Sequence, residues 1–314
     1  MNPDFMKSSK TRRAQVAPVP RLNPTSGSLA SLVTRRPRVQ TGDRAIQLGL
    51  AVPPLRVVSL GAFRLAVGHR EVQPNVWKSR KAELLFKYLI ARGHGRAVPK
   101  DAVLEALWPE QDPKHSDQCL RAAVTMLRRT LQPDLPARMP SAYVTQRDGR
   151  CTVRLGDGGY LDVAEFTAAI AGAEERERSG KMAEAAEFYR TALALYGGDF
   201  LEDEPYAEWA FAWRERLRDS YVQALLRLGS LSLHSGDLAA ASALGLRVLE
   251  ADDGIEAAYR LIIESYARSG QWGRVKVIYD RYVRILREYD LPLPHSLRSF
   301  LDDLQKNNSR DGNE

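Results

Sequence analysis

Ser-Gly turns punctuate the rear half of this 314-residue chain at a spacing that few folds accommodate. Ser179-Gly180-Lys181, Ser235-Gly236-Asp237 and Ser269-Gly270-Gln271 each stand between two segments whose apolar residues keep a helical period. Gly236 and Gly270 lie 34 residues apart, the length of a two-helix repeat. Gly180 and Gly236 lie 56 apart, the excess going to the loop Gly197-Gly198-Asp199-Phe200-Leu201-Glu202-Asp203-Glu204 and to an unusually long helix after Pro205. Ala185, Ala186, Ala240 and Ala241 are small enough for paired helices to approach closely. An irregular helical bundle is the alternative, but one turn recurring three times in one context favours stacked repeats.

The front half has another texture. Leu55–Leu60 and Phe63–Val67 read as short strands, with a shorter candidate near Glu71 and Val72. After Trp77 the period becomes helical: Leu84, Leu85, Tyr88 and Leu89 share a face between Ser79 and Arg92, ahead of Gly93 and Gly95. Pro99 suits the first position of a second helix that ends near Leu107. A third helix is expected to start at Ser116 as its cap and to stop before Pro133. Tyr143-Val144-Thr145 and Cys151–Leu155 then flank Asp148-Gly149, a hairpin signal.

The third helix carries the most chemistry. Leu120, Val124, Leu127 and Leu131 recur as one buried stripe, and Gln118, Arg121, Ala122, Thr125, Arg128 and Arg129 fall on the opposite side. A helix seated in a major groove needs this division, because arginine can pair with guanine, and glutamine with adenine, through two bonds. Taken alone, such a face is more often simply solvated. Its place as the last helix before a hairpin is that of the recognition helix of a winged helix. Arg147, Arg150 and Arg154 on the hairpin would then meet phosphates.

Charge divides the chain in the same sense. Residues 1–54 carry nine basic and two acidic side chains, residues 55–155 eighteen and nine, and residues 156–314 nineteen and twenty-eight. A basic front and an acidic rear fit a chain that meets a polyanion with one half. Residues 1–54, rich in Pro, Ser, Thr and Arg, read as a disordered basic tail, and residues 307–314 as a flexible C-terminus. No apolar run reaches the roughly 18 residues of a membrane span, and none follows the basic N-terminus as a secretory signal would require. With only Cys119 and Cys151, a cytoplasmic protein is expected.

Motifs for catalysis are missing. The sequence has no phosphate-binding loop, no H-E-x-x-H, no G-x-S-x-G and no C-x-x-C, so no enzyme and no cofactor are expected. His69, His94, His115, His234 and His295 stand apart from one another and from both cysteines, which leaves no metal cluster. Cys119 reads as a small buried side chain rather than a redox sensor. Glu202, Asp203 and Glu204 read as an exposed acidic loop rather than a cation site. Trp209, Phe211 and Trp213 are expected in core and inter-repeat packing, a concave partner groove being the other use.

Residues 55–306 resemble the SARP-type bacterial activators. The resemblance rests on Val98–Pro109, the third-helix run Leu120–Arg129, Leu161–Phe166, the loop Gly197–Leu201 and Glu208-Trp209-Ala210, in that order. It implies a mainly α fold with a small α+β part. An OmpR-like winged helix over 55–156 would precede a bacterial transcriptional activator domain of tetratricopeptide-like repeats over 157–306. It also implies binding to repeats in double-stranded promoter DNA, a homodimer at least on DNA, and recruitment of RNA polymerase. The polymerase contact would be the loop from Trp108 to His115, with Trp108, Glu110, Asp112 and Lys114. The chain departs from the family's wing, which carries a Gly-rich turn followed by Tyr, by having Asp148-Gly149-Arg150-Cys151 there. A repeat scaffold whose winged helix binds protein instead of DNA is the second reading.

Overall fold

Alternation sets the first sheet. In β1 (Leu55–Val58) Leu55 and Val57 point inward, and in β2 (Arg64–Val67) Leu65 and Val67 do. The two strands run antiparallel with Leu55 opposite Val67 and Val57 opposite Leu65, so one face is wholly apolar. β3 (Arg70–Glu71) adds to β2, and β7 (Tyr160–Leu161) adds in parallel to the other side of β1. The computed structural model describes residues 52–292 apart from 94 and 137, together with 294, 299 and 300. Residues 1–51, the C-terminal residues 307–314, His94 and His295 lie outside the described residues. Residues 52–54, counted with the tail above, belong to the fold: Val52 packs against the core, and the Pro53 carbonyl accepts the Tyr143 hydroxyl at 2.5 Å.

Three helices and a hairpin complete the front. α1 (Arg80–Gly93) is buried along most of its length, with Leu85, Phe86 and Leu89 enclosed. β4 (Val98–Pro99) leads into α2 (Lys100–Leu107), α3 spans Pro113–Leu131, and β5 (Val144–Arg147) and β6 (Arg150–Val153) form the hairpin. β6 lies between β4 and β5. Two helix starts differ from the sequence expectation. Pro99 is the residue before α2 rather than its first, because it is extended and pairs with Arg150 in the sheet. α3 begins at Pro113, capped by the Asp112 carboxylate on the Lys114 N–H at 3.1 Å. Ser116 is therefore buried inside the first turn.

Among the described residues the rear forms three helix pairs: α4 (Asp162–Arg178) with α5 (Met182–Leu195), α6 (Glu208–His234) with α7 (Leu238–Ala251), and α8 (Glu256–Arg268) with α9 (Trp272–Glu288). Each pair turns at one of the Ser-Gly sites. Gly180, Gly236 and Gly270 take φ of 73°, 85° and 72°, where a side chain would be strained. The next residue's N–H then reaches back five positions, as Gln271 does to the Tyr266 carbonyl at 2.8 Å, satisfying carbonyls the helix end leaves open. α6 has the expected excess length, at 27 residues. Phe211 departs from expectation: it is 61% exposed, while Trp209 and Trp213 pack on the core.

One apolar core runs from the first sheet into the repeats, taking in Phe200, Leu201, Ala210 and Leu217. Its polar joints decide how the halves meet. The buried Asp162 carboxylate accepts the Ser59 and Leu60 N–H groups, both at 2.7 Å, and the Ser59 hydroxyl at 2.8 Å. The loop between α5 and α6 bridges to Leu60 and Gly61 through Phe200. From α6, Arg214 donates to the Phe200 and Glu204 carbonyls at 3.1 Å, and Arg218 pairs with Asp199. The acidic run is exposed as expected at Glu202 and Asp203, but not at Glu204. Glu204 is 5% exposed, and with Asp203 and Glu83 it surrounds the fully enclosed Lys87 ammonium at 2.5, 2.7 and 2.8 Å. Arg80 also pairs with Glu204.

Burial works against the charge on Lys87, but hydrogen bonds to Asp203, Glu204 and Glu83 outweigh it and hold its pKa above 10.5. With the folded pKa raised, this stabilisation is complete at neutral pH and fades as pH climbs through the raised value. Removing one partner of a buried ion pair typically costs about 3–5 kcal/mol. Lys87→Met should lower stability by an amount of that order in urea denaturation. Adding Glu204→Gln should then cost less in the Lys87→Met background than in the wild type, by roughly 0.5–3 kcal/mol. Strict additivity would show that the two side chains are not coupled.

Candidate nucleic-acid interface

The stripe on α3 does what its spacing requires. Leu120, Val124, Leu127 and Leu131 are each at most 2% exposed and face α1 and the hairpin. Gln118, Arg121, Ala122, Thr125 and Arg129 are exposed on the other side. The Arg121 side chain is 73% exposed and lies 3.5 Å from Asp117, whose other oxygen pairs with Lys100 at 2.9 Å. The Lys100 hydrogen bond and the charges of Lys100 and Arg121 hold the Asp117 carboxyl below the usual range. Thr125 donates its hydroxyl to the Arg121 carbonyl at 2.8 Å, which leaves its oxygen able to accept.

Arg128 is placed differently from its neighbours. It is half-buried, and its Nε donates to the Val144 carbonyl at 3.2 Å, tying α3 to the first strand of the hairpin. Burial lowers its pKa, though far too little to discharge a guanidinium. In the hairpin, Asp148 and Gly149 both take positive φ, 50° and 67°, the pairing that matches strand twist in a two-residue turn. The Lys100 N–H bonds to the Gly149 carbonyl at 2.8 Å, so the turn is fastened to the start of α2. Arg147 and Arg150 project from the hairpin and are exposed. Cys151 is wholly buried in the central strand between Gln146 and Val98.

The expected polymerase-contact loop divides. Its irregular part is residues 108–112, since Lys114 and His115 already belong to α3. Glu110, Asp112 and Lys114 are exposed. Trp108 is 5% exposed, packed in the core with the Lys81 ammonium 5.4 Å from its ring, so its side chain cannot serve as a contact. A tryptophan beside Pro109 reads as loop from sequence, yet its area is better buried. Sequence reasoning also missed Asp117, Lys100 and Lys87, whose roles depend on partners in other elements. Among the described residues, Glu83, Asp203 and Glu204 form a carboxylate group close enough for a cation, but the Lys87 ammonium stands among them. No described helix is long and apolar enough to cross a membrane.

The family model for the bacterial transcriptional activator domain matches residues 161–303. Over these residues the chain is similar to that domain. The Regulatory protein AfsR of Streptomyces coelicolor is 25% identical over 210 residues, 67% of this chain and 20% of that protein. The chain thus spans one fifth of the length of this curated relative. The structure of Mycobacterium tuberculosis EmbR in complex with a low affinity phosphopeptide is similar with a TM-score of 0.68 at 18% identity, over 81% of this chain and 66% of that one. At that identity the likeness speaks for the fold, a winged helix followed by helical repeats. The resemblance to SARP-type transcriptional regulators is borne out.

The packing of the hairpin and α3 makes a prediction about the thiols. Burial pushes the Cys151 thiol above 9.0, although Arg128 and Lys100 pull the other way, whereas Cys119 is only half-buried. In the native protein, Ellman's reagent should modify Cys119 first and Cys151 only as the protein opens. Equal rates for both thiols, located by peptide mapping, would contradict an enclosed central strand.

Proposed function

We propose that the chain is a sequence-specific DNA-binding regulator of transcription, acting as an activator. In this reading the winged helix spans 55–156 and the activator domain 157–306. The observation that carries it is the exposed face of α3 with Gln118, Arg121, Ala122, Thr125 and Arg129, set beside Arg147 and Arg150 of the hairpin. α3 enters the major groove with its apolar stripe held by its own domain. Arg121 and Gln118 reach base edges, and Arg129, Arg147 and Arg150 meet phosphates. Arg128 positions the hairpin against α3 and acts on DNA through that placement. Glu110, Asp112 and Lys114 supply the contact to RNA polymerase, and the protein works as a homodimer on repeated half-sites in the cytoplasm. No cofactor is needed, and the effector of the repeats is left unassigned.

A mobility shift against the chain's own upstream DNA, with random competitor at two salt concentrations, tests this. Specific binding should weaken with salt. Arg121→Ala should lose about 1–3 kcal/mol of discrimination between target and competitor. Arg147→Ala should weaken binding to both DNAs alike and reduce the log–log salt slope by about one. Wild-type binding no tighter to target than to competitor, together with a protein partner retained in Arg121→Ala, would favour the scaffold reading instead.

A further inference from the structure

The groove of about 670 Å³ between α3 and the hairpin has a third wall. It is lined by Arg128 and Arg129 from α3, Arg147 from β5 and Arg138 from the connection between them, and by no aspartate or glutamate among the described residues. Four guanidinium groups around one concave surface with no carboxylate on it repel one another, and a polyanion lying there relieves that. The sequence gives Arg138 no role.

The backbone marks the same residue. Arg138 is exposed and takes a φ of 69°, a conformation uncommon for any residue other than glycine, asparagine or aspartate. Such a residue persists only where its surroundings hold it. Here the connection is fastened near both ends. The Gln132 side-chain oxygen accepts the Ser141 hydroxyl at 2.6 Å and the Ala142 N–H at 3.0 Å, and the Met139 N–H bonds to the Pro136 carbonyl at 3.2 Å. Ser141, 2% exposed, in turn accepts the Tyr143 and Val144 N–H groups at 3.2 Å, which locks the connection to the start of β5. Arg138 thus stands on a braced support across the groove from α3.

Resting on the DNA-binding reading above, we infer that this connection is a third element of the DNA surface, and that Arg138 contacts the phosphodiester backbone of duplex DNA lying along the groove. A contact of that kind carries no sequence information. It adds affinity to every duplex and releases about one counterion.

The test is the salt dependence of binding to a mixed-sequence duplex of about 30 base pairs, for wild type, Arg138→Gly and Arg138→Lys. Glycine suits the left-handed backbone, so Arg138→Gly should melt no lower than wild type, and a loss of binding cannot be blamed on folding. Its log–log salt slope should fall by about 0.9, and affinity near 0.15 M salt should drop about fivefold, whereas Arg138→Lys should keep most of the slope. A slope in Arg138→Gly equal to that of wild type would overturn the inference while leaving DNA binding intact. A wild-type protein whose binding is absent or independent of salt would overturn both.

Discussion

A lysine ammonium with no access to water has to be met by carboxylates, and the arrangement of this protein follows from where they come from. Lys87 lies on α1, the central helix of the winged helix. Glu83 comes from the same helix, but Asp203 and Glu204 come from the loop between α5 and α6, more than a hundred residues away. That loop is itself held by Arg214 and Arg218 of α6, and the Asp162 carboxylate closes the adjoining end of β1. Tyr88 and Trp209 meet edge-to-face beside this network, with ring centres 5.2 Å apart. A buried charge group of this kind adds little net stability over apolar packing, but breaking it is expensive.

The consequence is mechanical. α1 touches α3, the strand β6 and α6, so the helix whose exposed face carries Arg121 is braced by the helix that carries Lys87. The extra length of α6 acquires a purpose on this view. Its first turns bear Trp209, Arg214 and Arg218, which reach forward to the loop and to α1, while the remainder pairs with α7 as an ordinary repeat helix. α6 is thereby part of the support of the winged helix as well as part of the repeat stack.

What the sequence reveals of this is what short-range periodicity can carry. The stripe on α3, the Ser-Gly turns, the Asp148-Gly149 hairpin and the long α6 all depend on neighbours within a few residues, and each is found as expected. Errors lie where the partner is remote. Glu204 looks like part of the solvated acidic run of Glu202 and Asp203 because nothing near it announces Lys87. Arg128 looks like its exposed neighbours because the Val144 carbonyl that takes it belongs to another element. Trp108 beside Pro109 looks like a loop tip, yet the core claims it. Pro99 misses the helix start because the remote Arg150 draws it into the sheet, while Ser116 is a local miss, since Asp112 caps α3 four residues earlier.

The central claim is that the winged helix and the first half of α6, with the loop before it, are one structural unit joined at Lys87. Native-state hydrogen exchange, followed by mass spectrometry on the full chain, measures this most directly. The account predicts that amides of α1 and of the first half of α6 open with one common free energy and respond together to low concentrations of denaturant. Amides of α6 opening at a separate, lower free energy while α1 stays protected would contradict it, and would make the two halves independent domains resting against each other.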